Sequence, residues 1–123
     1  MNIVLVGLGG AVGAMLRYLC VTAGARLLGA SLPYGVFFAN IAGSFLMGVA
    51  AAVLLERMQA PRLALFVMPG VLGGFTTFSA YSLDAVRLME SGRIGAALTY
   101  IGGSVVLALI ALVLGLWLGR AFT

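Results

Sequence analysis

Charged side chains cut this chain into long apolar runs, and their spacing predicts its elements. Between Arg26 and Glu56 lie 29 uncharged residues, Leu27–Leu55. Between Arg62 and Asp84 lie 21, Leu63–Leu83, and between Arg93 and Arg120 lie 26, Ile94–Gly119. Ahead of them, about Ile3 to Ala25 is apolar apart from Arg17. A helix needs roughly 20 apolar residues to cross a bilayer, so each run can supply one crossing. The second helix starts after the turn-like Ser31-Leu32-Pro33, and the third, preceded by Pro61, extends to about Met89. The fourth run would be about 39 Å long at 1.5 Å per residue and can cross with some tilt. Connections are short, around Gly29–Pro33, Glu56–Arg62 and Glu90–Arg93.

The third run is not a uniform lipid-facing helix. Its centre places Gly73 and Gly74 ahead of Thr76, Thr77 and Ser79, with Phe78 and Tyr81 between the hydroxyls. Paired glycines weaken a helix, and hydroxyls can serve backbone groups left without partners. Unwound backbone at membrane depth is tolerated only where protein buries it or a wet cavity receives it. The pattern predicts a third helix broken near Gly73, with Gly73–Ser82 as the centre of a small pore or carrier.

Composition narrows the class further. With 63% hydrophobic and 8% charged residues and a mean hydropathy of +1.22, residues 1–123 read as one all-α, multi-pass integral membrane domain; soluble domains are about a quarter charged. The seven basic residues are all Arg and form no run, so no nucleic-acid surface is expected. One cysteine, Cys20, excludes an internal disulfide, and the absence of His removes Cys/His metal clusters and Ser-His-Asp relays. An enzyme is therefore not expected. Met1-Asn2 carries no Arg or Lys, and the first run continues past Arg17, so that segment reads as retained rather than cleaved.

The arginines bear on orientation. Four crossings put Arg57, Arg62 and Arg120 on one side and Arg26, Arg87 and Arg93 on the other, with Arg17 inside the first helix nearer the second side. The positive-inside rule needs an imbalance, and this count supplies almost none. Either the bias is carried by something other than charge count, or the chain inserts both ways and pairs with an inverted copy about an in-plane axis. Small residues four apart (Gly9/Gly13, Ala39/Gly43, Ser44/Gly48, Thr99/Gly103, Gly115/Gly119) suit close helix contacts, although glycine is common in any membrane helix.

The few polar side chains in the runs form a constellation. Asn40 lies mid-way along the second, with Ser44 one turn on; Tyr100 and Ser104 repeat that spacing on the fourth; Thr77, Ser79 and Ser82 belong to the third. All can donate hydrogen bonds and none is anionic, which suits an anion better than a cation. Phe78 and Tyr81 can add positive ring edges or simply pack. Asn40 fits a pore wall or interhelical glue. Arg17 fits snorkelling or the positive mouth of a pathway. Asp84 fits a partner for Arg17 or Arg87, or a vestibule group; Glu56 and Glu90 read as solvated ends.

The run Gly73-Gly74-Phe-Thr-Thr-Phe-Ser-Ala-Tyr-Ser82, with Gly13-Ala-Met-Leu-Arg17-Tyr and Asn40-Ile-Ala-Gly43, resembles the Fluc (CrcB) fluoride channels over essentially the whole chain. The resemblance implies a dual-topology antiparallel homodimer in the cytoplasmic (inner) membrane. Its two pathways passively export fluoride that has entered an acidified cell as HF, protecting the cell. It implies pore-lining roles for Asn40, Phe78 and the Tyr81 position, and a polar track through Thr77, Ser79, Ser82, Tyr100 and Ser104. It also implies a structural Na⁺ at the dimer centre on the backbone carbonyls of Gly73 and Thr76, and places Arg17 near the aqueous vestibule. The chain departs from the family at Tyr81, usually Phe, and at Asp84, often Glu. The rival from another class is a small multidrug-type cation/proton exporter, which needs a membrane-embedded carboxylate that the first segment lacks.

Overall fold

The computed structural model describes residues 1–122 and is helical nearly throughout. Helix α1 is Asn2–Leu28; α2 is Tyr34–Ala50, continued by wider π-helical turns over Ala51–Arg57. The third crossing is assembled from α3 (Pro61–Leu65), a π-helical stretch Phe66–Leu72, α4 (Gly73–Phe75) and α5 (Ser79–Glu90). The last helix, α6, is Ile94–Ala121. Four of the resulting spans, Asn2–Leu28, Tyr34–Arg57, Pro61–Glu90 and Ile94–Ala121, are long and apolar enough to cross a membrane.

Local chemistry explains most boundaries. Pro61 opens α3, where a missing N–H costs nothing because the first turn's donors have no helical acceptor. Gly29 and Gly92, at φ 93° and 83°, end α1 and follow α5 in a conformation that only glycine takes without strain. Pro69 lies inside the second π-helical stretch, and the wider turn makes room for a ring that would strain an α-helix. The first π-helical stretch has no proline, and the structure offers no comparable cause for it.

The third crossing changes neighbours along its length. The stretch Phe66–Leu72 and α4 pack on α1, whereas α5 packs on α6; α2 lies against both α1 and α6 and is the most enclosed span. Missing Cβ atoms set these approaches. A Cβ on Gly9 or Gly13 would overlap the carbonyl oxygen of Phe66 or of Val71, and Gly48 and Gly115 interlock in the same way with Leu112 and Phe45. A Cβ on Gly43 would run into the Thr76 methyl, and Gly119 lies against Ala52. The Thr99/Gly103 pair is the loosest of these: Thr99 is exposed, and a Cβ on Gly103 would find just the Phe37 ring at 3.9 Å.

The glycine pair in the third crossing does something other than expected. Gly73 and Gly74 stay helical, and the chain leaves the helix three residues later, at Thr76 (φ −86°, ψ 157°). A Cβ on Gly74 would strike the carbonyl oxygen of Gly10, so this glycine is needed for contact with α1 rather than for flexibility.

Two polar contacts tie the ends as alternating crossings require. Arg120 donates from Nε and Nη2 to the two carboxylate oxygens of Glu56, 2.9 Å each, joining the ends of the second and fourth spans. Glu56 is thus ion-paired rather than merely solvated, because α2 and α6 run side by side to their ends. At the opposite end Arg93 donates to the carbonyl of Ser31, joining the first and third connections.

Gly115→Ala should lower the thermal midpoint in detergent by the equivalent of about 1–3 kcal/mol, the usual cost of overpacking. Gly7→Ala, where a Cβ meets nothing within 4 Å, should leave it unchanged or raise it slightly. Equal shifts for the two variants would show that close glycine packing does not hold the bundle.

Candidate functional site

The helix break is held open by one side chain. Asn40 Nδ2 donates to the carbonyl of Thr77 at 3.0 Å, and the Thr77 N–H donates to Asn40 Oδ1 at 2.8 Å. The amide of α2 thereby replaces both helical partners of Thr77. A second substitution follows three residues on, where the Ala80 N–H donates to the Thr77 hydroxyl at 3.2 Å and Thr77 caps the start of α5.

These two diversions free two particular carbonyls. In a continuous helix the Thr77 N–H would go to Gly73 and the Ala80 N–H to Thr76. Both donors are engaged elsewhere, so the carbonyl oxygens of Gly73 and Thr76 lose their helical partners. Exposed carbonyl oxygens are hard ligands, and the pair fits a cation such as Na⁺ chemically. Among the described residues no cluster of His, Cys, Asp or Glu offers a different metal site.

Beside the break lies a cavity of about 430 Å³. Asn40, Gly73, Thr76, Thr77, Phe78, Tyr81 and Ser104 from the expected set line it, as do Ser44 and the apolar Met47, Ala108 and Leu112. No charged side chain is among its lining residues. Ser104 Oγ is buried without a hydrogen-bond partner, which makes it the strongest indication of a guest: an unsatisfied buried hydroxyl costs about 1–3 kcal/mol. Asn40 retains one of its two amide hydrogens beyond the clamp.

The rings form a ladder across the site. Phe78 and Tyr81 lie with centroids 5.5 Å apart, Tyr81 and Tyr100 5.2 Å, and Tyr100 and Phe37 6.2 Å, each pair tilted. Phe78 is 77% exposed in the single chain, whereas Tyr81 and Tyr100 are buried. The Tyr81 hydroxyl donates to the carbonyl of Ile101 at 2.9 Å, so it braces α5 against α6 and is not free for the cavity. Phe37 escaped the sequence reading, and only its position one turn before Asn40 on the same helix could have suggested it.

Other expected residues stand apart from the cavity. The Ser82 hydroxyl donates to the Phe78 carbonyl at 2.9 Å, and Ser79 Oγ lies 3.3 Å from Thr77 Oγ1. Tyr100 reaches Asp84 through its hydroxyl at a long 3.4 Å, whereas Arg17 makes no hydrogen bond or ion pair among the described residues. Asp84 is therefore a neighbour of Tyr100, and its hydrogen bonds and ion pairs among the described residues do not include Arg17.

Comparison with known proteins adds a consistent result. The family model described as "CrcB-like protein, Camphor Resistance (CrcB)" matches residues 4–116. A Chelativorans protein is 47% identical over 121 residues, covering 98% of this chain and 97% of its own. One from Rhodopseudomonas palustris is 47% identical over 124 residues, with both chains covered in full, and one from Cereibacter sphaeroides is 51% identical over 111 residues, covering 90% and 88%. Each of the three is named a fluoride-specific ion channel.

Asn40→Ala should leave both backbone groups of Thr77 unpaired and destabilise the protein by about 1–3 kcal/mol. Hydrogen exchange should accelerate at Thr77 specifically. Unchanged exchange there would mean that the clamp does not hold the break.

Proposed function

The chain belongs to the CrcB family, and we propose that it is a fluoride-selective channel that lets fluoride leave the cell passively and so protects it. The observation that carries this reading is the cavity beside the break: Asn40 and Ser104, whose buried hydroxyl has no partner, are among the residues around a space with no charged lining. Fluoride is small and strongly hydrated, so a path must replace its water with donors yet release it quickly. Neutral N–H and O–H groups do this without the trap of a fixed full charge, and the ring edges of Phe78 and Tyr81 extend the same polarity. The relatives bearing a fluoride-channel name cover this chain almost end to end.

Two features favour a homodimer as the working unit. Freed backbone carbonyls are not tolerated facing lipid, yet Gly73 and Phe78 are exposed in the single chain. A second copy laid against this face covers them and doubles the cavity. The even split of Arg between the two sides favours an inverted copy, giving dual topology and two pathways per dimer in the cytoplasmic membrane. The Gly73 and Thr76 carbonyls of both copies would then surround a central Na⁺, which supplies a fixed positive charge where the third crossings meet. Within the pathway, Ser104 and Asn40 hold the ion in the cavity, and Thr77, Ser79, Ser82 and Tyr100 continue the track. Arg17 and Asp84 belong to its aqueous ends.

Liposomes containing the purified protein should release fluoride rapidly while retaining chloride. Phe78→Ile, which removes the ring edge, should cut fluoride efflux by about tenfold or more without loss of the folded protein, at about 1.4 kcal/mol per decade. A folded protein that releases no fluoride, or both ions alike, would overturn the channel reading. Two Lys added to the Glu56–Arg62 connection should bias insertion to one orientation and reduce activity when that form is expressed alone. Full activity from a single-orientation population would exclude the inverted dimer.

A further inference from the structure

A second cavity, of about 400 Å³, opens on the other side of the aromatic ladder. It runs between the start of α2 and the first half of α6, with Pro33 and Phe37 on one wall and Gly95, Thr99, Gly103 and Leu107 on the other. From Gly95 to Leu107 it extends about 18 Å along the helix at 1.5 Å per residue. This is a long, narrow space, oriented along a membrane-spanning helix.

Its chemistry differs from that of the first cavity. The Thr99 hydroxyl is spent on the Gly95 carbonyl at 2.8 Å and the Tyr100 hydroxyl is turned to Asp84, so the wall along α6 is mainly apolar, with the Tyr34 phenol as the polar group at the α2 end. The glycines here are not consumed by packing: a Cβ on Gly95 would meet nothing within 4 Å, and one on Gly103 only the Phe37 ring. Elsewhere in the bundle the paired small residues are filled by a neighbouring helix. At one end stands Arg93, exposed, with its guanidinium directed to the Ser31 carbonyl, at the positive N-terminal end of the 28-residue α6.

We propose that this cavity holds one acyl chain of an anionic phospholipid, the chain lying along Gly95–Thr99–Gly103 and the phosphate beside Arg93. Its length fits a linear hydrocarbon, its lining is mostly apolar, and the Arg93 guanidinium at its end complements a phosphate. An acyl chain there packs directly on Phe37 and Tyr100, the outer half of the ladder that braces the first cavity.

The test uses the full-length protein in phosphatidylcholine bilayers doped with phosphatidylglycerol or phosphatidylcholine carrying a diazirine mid-way along one acyl chain. Peptide mass spectrometry then maps the photolabel. Phosphatidylglycerol should label the stretch from residue 95 to 107 about fivefold more than phosphatidylcholine, the worth of one Arg beside an anionic lipid. Gly95→Leu and Gly103→Leu, each of which fills open space, should abolish that label, and Arg93→Gln should equalise the two lipids. Equal labelling by both lipids in the unaltered protein, or label that survives both leucine variants, would overturn the proposal. So would a change of oligomeric state in either leucine variant, because a second copy would then be the occupant.

Discussion

Every backbone N–H and C=O inside a bilayer needs a partner, and the third crossing departs from the helix at Thr76 under that constraint. The departure is possible because Asn40 supplies both a donor and an acceptor to the backbone of one residue, Thr77. The Thr77 hydroxyl then restarts the helix by accepting from Ala80. The Asn40 amide does this with two separate atoms, Nδ2 donating and Oδ1 accepting, so each backbone group of Thr77 has its own partner. Once those two exchanges are made, the carbonyls of Gly73 and Thr76 are free by necessity. The interruption, the cavity beside it and the oxygen pair within it share one cause.

The rest of the bundle is arranged so that this exchange can occur. Asn40 can reach Thr77 only if α2 lies close to the third crossing, and Gly43, one turn on, lets the Thr76 methyl approach where a Cβ would block it. On its other face α2 is held against α6 by the interlock of Gly48 and Gly115. That contact brings Ser104 to the cavity side and ends in the Glu56–Arg120 ion pair. Exposed pairs of this kind contribute little to stability, typically ~0–1 kcal/mol, so its value lies in fixing which helix ends are neighbours. The gain from close glycine contact is van der Waals attraction between backbones, which lipid cannot match because it cannot interdigitate so finely.

Much of this arrangement was legible in the sequence because membrane constraints are severe. Four crossings follow from the charge spacing alone, and the polar residues that line the cavity stand out because apolar neighbours surround them. The position of the break was not legible from Gly73 and Gly74. Helix propensity locates weakness, but the weak point is used for contact with Gly10, and the true break lies where a distant amide competes for the backbone. The partner of Glu56 was hidden for a similar reason, since it lies 64 positions away and only the α2–α6 packing brings it near. The π-helical stretches carry no periodic signal, and Phe37 is one apolar residue among many.

Tyr81 shows how far a residue type can mislead when its surroundings are unknown. From sequence alone, a hydroxyl added to that ring must either find a protein partner or solvate an ion. In the folded chain it is committed to the Ile101 carbonyl, and Tyr100, whose ring packs at a tilt against the same ring, reaches back towards Asp84. The two tyrosines therefore cross-brace α5 and α6 in opposite directions. The brace holds the Tyr81 hydroxyl, and Phe78 packs at a tilt against the Tyr81 ring at the edge of the cavity. In the proposed pathway the hydroxyl would act through rigidity rather than through contact. In that proposed pathway an anion held by ring edges and neutral donors would depend on the Phe78 edge staying in place.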